Sequence, residues 1–321
     1  MMKRREILGF ASLLAAPLLA RANDYPRAPI NLVTPLAAGD AADRAARLMG
    51  QELSRLLETP VTVVNRPGAG GWLGTQSVIR APKDGYTLLY AQNSPLTIRR
   101  VLEPAAANYD PLKELTPLAL TSRSPSVLVV HKDAPFKTLK EMIAHASKAP
   151  NGIRVGNAGP GSVGDVSVQL INSATGATLN SINYKGAAPA VTDLLGGHIE
   201  GVILALGAVS THLRSGSLRA LAISSPFPEF ADVPTMRQLG FKADILGVWF
   251  GFFLPAGVPQ TVVDRLVPAL EEVTRNAGIS AQLLPAGIIQ EWGSSRALSA
   301  EISNEFRSVS ELLGPKARNS I

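Results

Sequence analysis

Residues 153–176 read IRVGNAGPGSVGDVSVQLINSATG. A short apolar run, a loop of small residues and a longer stretch with helical apolar spacing make a strand–loop–helix unit. The loop holds Gly159-x-Gly161-x-x-Gly164, the pattern with which a dinucleotide fold brings backbone close to a pyrophosphate at a helix N-terminus. That fingerprint also wants an acid about 20 residues further on. Asn183 and Tyr184 stand there instead, and the next acid is Asp193. A second unit of the same design comes earlier, where INLVTP opens through Leu36 to Asp43 into AADRAARLMGQELSRLL. Open parallel sheets bind ligands beyond the C-terminal ends of their strands, where helix N-termini offer N–H groups. If the two loops face each other across a cleft, they hold a small anion from two sides.

Outward from these units the chain alternates apolar β-branched runs with helical patterns, which predicts parallel strands with crossover helices in two α/β sheets. SVLVVHKDAPFKTLKEMIAHA and, after a whole α/β set, VWFGFFLPAGVPQTVVDRLVPALEEVTRN have the same strand, Pro-containing turn and helix order. This is the pattern of a chain that crosses to a second lobe and returns. The expected division is 23–124 with 227–321 as lobe one and 125–226 as lobe two, with hinges near Ser124 and Pro226.

The N-terminus MMKRREILGFASLLAAPLLARAN has a basic start, an apolar run from Ile7 to Ala20 and the small-x-small signal Ala20-Arg21-Ala22. Residues 1–22 therefore read as an export signal peptide cut before Asn23. The apolar run is shorter than the roughly 20 residues of a membrane-spanning helix. Adjacent Arg4 and Arg5 leave twin-arginine and general secretory export both open. Loss of Lys3, Arg4, Arg5, Arg21 and Glu6 takes the formal charge from +6 to +3. No polybasic cluster with interleaved aromatics remains, so nucleic acid is not an expected partner. There is no Cys and there are four separated His, so disulfides and thiolate or HExxH metal sites are not expected.

Seven successive blocks carry a family resemblance: YPRAPINLVTPLAAGDAADRAAR, VVNRPGAGGWLGTQSVIRAPKDGYTLLYA, NAGPGSVGD, NYKGAAPAVTDLLGGHIEG, LRSGSLRALAIS, DVPTMRQLGF and WFGFFLPAGVPQTVVDRL. In order and spacing they resemble the extracytoplasmic receptors of tripartite tricarboxylate transporters, the Bug receptors. The resemblance implies an α/β, two-lobed type II periplasmic binding protein fold with a ligand cleft between lobes. It implies a periplasmic solute-binding protein that passes a small organic acid to membrane permease subunits, with no catalysis, no cofactor and no metal, as a monomer. Carried over, the carboxylate-holding loops map onto Ala38, Gly39 and Asp43 and onto Gly159, Gly161 and Ser162. Two positions depart from the pattern: Asp40 replaces the second Gly of Gly-Gly-x-x-Asp, and Asp165 stands where His is common. Each acid either faces the ligand, disfavouring polycarboxylates and favouring solutes with ammonium or hydroxyl donors, or caps its helix.

Asn93 and Ser94 follow the strand YTLLYAQ and are expected at the cleft or in a polar turn. Tyr184 is expected to meet the ligand or to pack between lobes. Gly68-Ala69-Gly70-Gly71 fits an anion cradle or a tight turn. Trp72, Trp249 and Trp292 are core or interface candidates, and His198 and His212 are expected at the surface. The competing reading is an exported NAD-dependent oxidoreductase built on the glycine loop, and a third is a ligand-sensing receptor for a signalling system.

Overall fold

The computed structural model describes residues 25–39, 41–149, 152–241 and 244–313. The export segment and Asp40 lie outside the described residues. Along the chain come β1 (Ile30–Thr34), α1 (Ala41–Leu57), β2 (Val61–Asn65), α2 (Trp72–Ile79), β3 (Thr87–Gln92), α3 (Asn93–Leu96), α4 (Ile98–Leu102), α5 (Pro111–Glu114) and β4 (Leu115–Ser124). There follow β5 (Ser126–His131), α6 (Leu139–Ala146), β6 (Ile153–Asn157), α7 (Val163–Thr175), β7 (Leu179–Asn183), α8 (Ala187–Leu195), β8 (Gly201–Ala205), α9 (Leu206–Arg214) and β9 (Leu218–Ile223). The chain closes with β10 (Val248–Pro255), α10 (Gln260–Arg275), α11 (Ala277–Leu283), β11 (Ile289–Ser294) and α12 (Ser295–Leu313).

Two sheets result, with strand orders β11-β4-β10-β3-β1-β2 and β7-β6-β8-β5-β9. The expected parallel pairing joins β1 to β2 and β3, and β6 to β7 and β8. The other strands depart from it: β10 is antiparallel to β3 and β4, β11 to β4, and β5 to β8 and β9. The reason is geometric. A strand entering a sheet from the other lobe starts at the edge where the parallel strands end, so Ser126 pairs with Ala205 and Phe250 with Gln92.

Helical spacing places Ala42, Ala45, Ala46, Met49, Leu53 and Leu57 of α1 in the core of lobe one, beside Leu32, Leu88, Phe252 and Leu266. Every residue of β10 is buried, consistent with its place inside the sheet and with its unbroken apolar sequence. Lobe two has one cluster on each side of its sheet, around Leu128, Val155 and Ile203 and around Val129, Val202 and Leu204.

The chain leaves the first sheet at Ser124 and enters the second at Ser126, with Pro125 between. Its return differs from the expected Pro226. Phe227 packs in one lobe-two cluster and Met236 and Ile245 in the other, so the segment after β9 still belongs to lobe two. The Leu246 N–H still donates to the Ser167 hydroxyl of α7 at 3.1 Å, whereas the Gly247 carbonyl accepts from Asn93 of lobe one and Val248 pairs with Ser124. The turn-rich composition of 224–235 marks a change of direction on the surface of lobe two, not a change of lobe.

The lobes also touch beyond the crossings. Val163, Val166 and Leu170 form a stripe on α7 that packs in the lobe-one core, while Val168 and Ile171 of the same helix pack in lobe two. On the other flank, the Arg214 guanidinium of α9 donates to the Pro285 carbonyl at 2.9 Å.

Candidate functional site

The two strand–loop–helix units close their loops in the same way. In the first, the Gly39 N–H donates to Asp43 Oδ2 at 2.9 Å, while Asn65, at the end of β2, donates to Oδ1 at 2.8 Å. In the second, the Gly161 N–H donates to Asp165 Oδ2 at 3.0 Å, while the Ser181 hydroxyl of β7 donates to Oδ1 at 2.6 Å. Each carboxylate lies one helical turn after its glycine, which puts it over the helix N-terminus, where the dipole favours negative charge. Arg47 adds an ion pair to Asp43 at 3.0 Å. Burial acts to raise the Asp43 pKa, but hydrogen bonds from Arg47, Gly39 and Asn65 outweigh it and hold the carboxyl below its ordinary range. Ser162 caps α7, its hydroxyl accepting from the Asp165 N–H at 3.3 Å.

Asp165 is thus the structural counterpart of Asp43. Both its oxygens accept from groups of its own lobe, and it is absent from the cleft wall. Of the two alternatives for this position, the helix-capping one describes its geometry.

Between the lobes lies a cleft of about 640 Å³, within the roughly 300–1,000 Å³ of small-molecule sites. Four helices present their first turns to it: Ala41 and Ala42 of α1, Val163 and Gly164 of α7, Ala187 and Ala188 of α8, Gly207 and Ala208 of α9. First-turn N–H groups have no partner within their own helix, and each N-terminus carries about half a positive charge. Lys185 is the charged side chain among the described lining residues. Ser124 and Ser126 line the cleft beside the first crossing, and the Ser126 hydroxyl is buried with no hydrogen-bond partner in the structure. Val248, Phe250 and Ile288 supply apolar wall.

Of the candidate ligand-binding residues, Gly39, Ser94 and Ser162 line this cleft, as does Gly164 of the glycine pattern. The Ser94 hydroxyl donates across the lobes to the Gly161 carbonyl at 3.3 Å. Ala38, Asp43, Asn93, Gly159, Gly161, Asp165 and Tyr184 stand beside or behind the wall. Asn93 is fully buried and donates to the Gly247 carbonyl at 3.0 Å. Tyr184 donates to Asp193 at 2.7 Å, and burial together with that carboxylate pushes its pKa up to about 12. The glycine pattern has a packing cause at one end, because a Cβ on Gly164 would lie 2.2 Å from the Ile203 carbonyl oxygen of β8. Gly68–Gly71 forms the tight entry to α2. Trp72 packs against Tyr109 with the rings tilted by 31°, and Trp249 and Trp292 pack in lobe one.

Sequence reasoning missed Gln92, Ser124, Ser126, Lys185 and the α8 and α9 N-termini. The N-termini and Lys185 carried a usable signal, since each follows a predicted strand as the two recognised loops do. Among the described residues no helix is long and apolar enough to cross a membrane, and no three metal-ligating side chains cluster.

Comparison with known proteins agrees with this architecture. The chain is 35% identical over 269 residues to protein BugT of Bordetella pertussis, covering 83% of this chain and 82% of that protein. Its structure is similar to that of MatC from Rhodopseudomonas palustris with bound malate, at a TM-score of 0.80 and 28% identity, covering 90% of this chain and 100% of the other. It is also similar to R. palustris Rpa4515 with adipate, at a TM-score of 0.81 and 26% identity, covering 90% and 98%. The model of the tripartite tricarboxylate transporter family receptors matches residues 45–312. With two lobes, a cleft fed by helix N-termini and that match over most of its length, the chain belongs to the tripartite tricarboxylate transporter receptor family, the Bug solute-binding receptors.

Proposed function

We propose that this chain, exported to the periplasm by its N-terminal leader, captures one small carboxylate between its lobes and presents it to the permease of a tripartite tricarboxylate transporter without chemical change. The observation that carries this reading is electrostatic. Four helix N-termini and Lys185 converge on a cleft with no carboxylate among its described lining residues, and such an arrangement favours an anion. One carboxylate of the ligand sits against the first turns of α1 and α7, and Lys185 pairs with a second. The malate and adipate bound by two structural relatives each have two carboxylates.

The hydrogen bonds of Asp165 to Gly161 and Ser181 support the helix-capping alternative for that residue in this reading. Titration calorimetry with malate, adipate, butyrate and NAD(H) tests the reading. A dicarboxylate should bind and NAD(H) should not, and Lys185→Ala should weaken the dicarboxylate at least tenfold while changing monocarboxylate binding little. Binding of NAD(H) with no response to any carboxylate would overturn it in favour of the oxidoreductase.

A further inference from the structure

Behind the cleft wall a carboxyl group of α12 joins three elements. Glu305 is half-buried as a residue, but its carboxyl end points inward. Oε2 accepts from Trp249 Nε1 of β10 at 2.8 Å and from Asn93 Nδ2 of α3 at 3.1 Å. Oε1 meets Thr97 Oγ1. The same Asn93 amide donates to Gly247, beside the return crossing, and Ser94 next to it reaches across the cleft to Gly161.

The protons around Glu305 can be counted. Thr97 Oγ1 has one hydrogen and faces two oxygens, Glu305 Oε1 and the Asn93 carbonyl at 3.0 Å. A hydroxyl donates once. If Glu305 is a carboxylate, one of the two O···O contacts has no hydrogen in it. If Oε1 carries a proton, Oε1–H donates to Thr97, Thr97 donates to Asn93, Oε2 accepts its two N–H groups, and every contact is filled.

Among the described residues no cation is ion-paired with Glu305. The α3 sequence NSPL and the β10 sequence VWFGFFLP contain no charged residue. On α12 itself Glu301 lies one turn away, and it is already paired with Arg123 of β4, which also holds Glu291 of β11. From α4, Arg99 pairs with Glu103, and the Arg100 guanidinium lies on the Phe306 ring, 4.3 Å from its centroid. A buried carboxylate without a cation is expensive, and such a group takes up a proton instead.

We propose that Glu305 is a neutral carboxylic acid at neutral pH and a positioning residue, holding the Asn93–Thr97 turn and the return strand β10 in the arrangement that lets Ser94, Val248 and Phe250 form the cleft wall. Burial raises its pKa and Glu301 adds to the rise, while the hydrogen bonds from Thr97, Asn93 and Trp249 oppose it. The folded chain therefore keeps a proton that the unfolded chain has released. Stability falls as pH rises from the ordinary carboxylate range to the raised pKa of Glu305.

The test compares full-length wild type, Glu305→Gln and Glu305→Ala. Gln reproduces the neutral acid, with an oxygen for Trp249 and Asn93 and an N–H for Thr97, whereas Ala leaves three partners unserved. Infrared difference spectra at pH 7 should contain a protonated-carboxyl C=O band in wild type that is lost in Glu305→Gln. The Glu305→Gln variant should lack the fall in unfolding midpoint with rising pH. The Trp249 indole N–H resonance should stay in place in Glu305→Gln and move in Glu305→Ala. For whichever of malate or adipate binds the parent chain, Kd should change less than threefold with Gln and at least tenfold with Ala. The affinity comparison rests on the carboxylate-receptor reading, and the spectroscopic and stability readouts do not. Absence of the infrared band, or a Glu305→Gln variant as impaired as Glu305→Ala, overturns the proposal.

Discussion

Asp43 and Asp165 do the same work at equivalent places, each holding the N–H of a loop glycine four residues earlier. Asp43 also meets Arg47 and Asn65, so Asp43→Asn removes charge-assisted bonds that are each worth about 1.5–3 kcal/mol. Its depressed pKa adds stability that is present above the unfolded carboxylate range and lost as pH falls through the folded value. Acid unfolding of the variant should accordingly be shallower than that of wild type, as read by circular dichroism between neutral and strongly acid pH. At the second loop, Asp165→His loses the bonds to Gly161 and Ser181 together. We expect a lower melting temperature and weaker binding of every carboxylate tested, measured by scanning calorimetry and titration. A selective gain for polycarboxylates would restore the sequence-based expectation that this acid sets ligand choice. The glycines themselves are poor probes: Gly39 has φ +90° and Gly161 φ +69°, so a valine at either strains the backbone and lowers stability along with affinity.

Among the elements, α7 divides its apolar residues between two clusters, Val163, Val166 and Leu170 in one and Val168 and Ile171 in the other. Val166 is fully buried in the lobe-one core, and opening the cleft is the cheapest way to hydrate a charge placed there. Val166→Asp should hold the protein open, with a larger radius of gyration in small-angle scattering and affinity at least tenfold weaker. A variant with unchanged radius and affinity would remove α7 from the closure contact. The sequence made this helix, its Ser162 cap and its glycine loop legible because all three are local. It also made the two-sheet organisation legible through alternating strand and helix periods. What it hid were contacts that depend on which distant segments meet. Ser126 and Ile288 reach one cleft from opposite parts of the chain, and Phe227, Met236 and Ile245 anchor an irregular segment to lobe two with no period to announce it. The antiparallel strands were hidden for a related reason, since direction within a sheet follows from where the chain crosses. The tie between glycine and aspartate, by contrast, spans four residues and is visible once both loops are aligned.

For the whole molecule, Ser94 bonded to Gly161 and α7 packed on lobe one describe lobes in contact. Saturation with a dicarboxylate should therefore shift the solution ensemble toward this form and reduce its radius of gyration, and an unchanged radius alongside calorimetrically verified binding would contradict closure. The crossings have a further consequence. Ser124 and Val248 are ladder partners in one sheet, and Ser126 accepts the Ser224 N–H at 2.9 Å in the other. Everything from Ser126 to Ile245 is thus a single excursion whose two ends emerge side by side from an otherwise continuous host. A unit inserted in this way can be exchanged as a cassette between relatives without rethreading the host chain. More than half of the cleft lining, including Lys185 and the α7, α8 and α9 N-termini, travels with the cassette, and the α1 N-terminus, Ser94 and Phe250 stay behind. Recombination at two adjacent junctions is enough to create a new pairing of half-sites, a route to altered solute choice in which the α7 stripe of Val163, Val166 and Leu170 must still fit the lobe-one cluster it packs in.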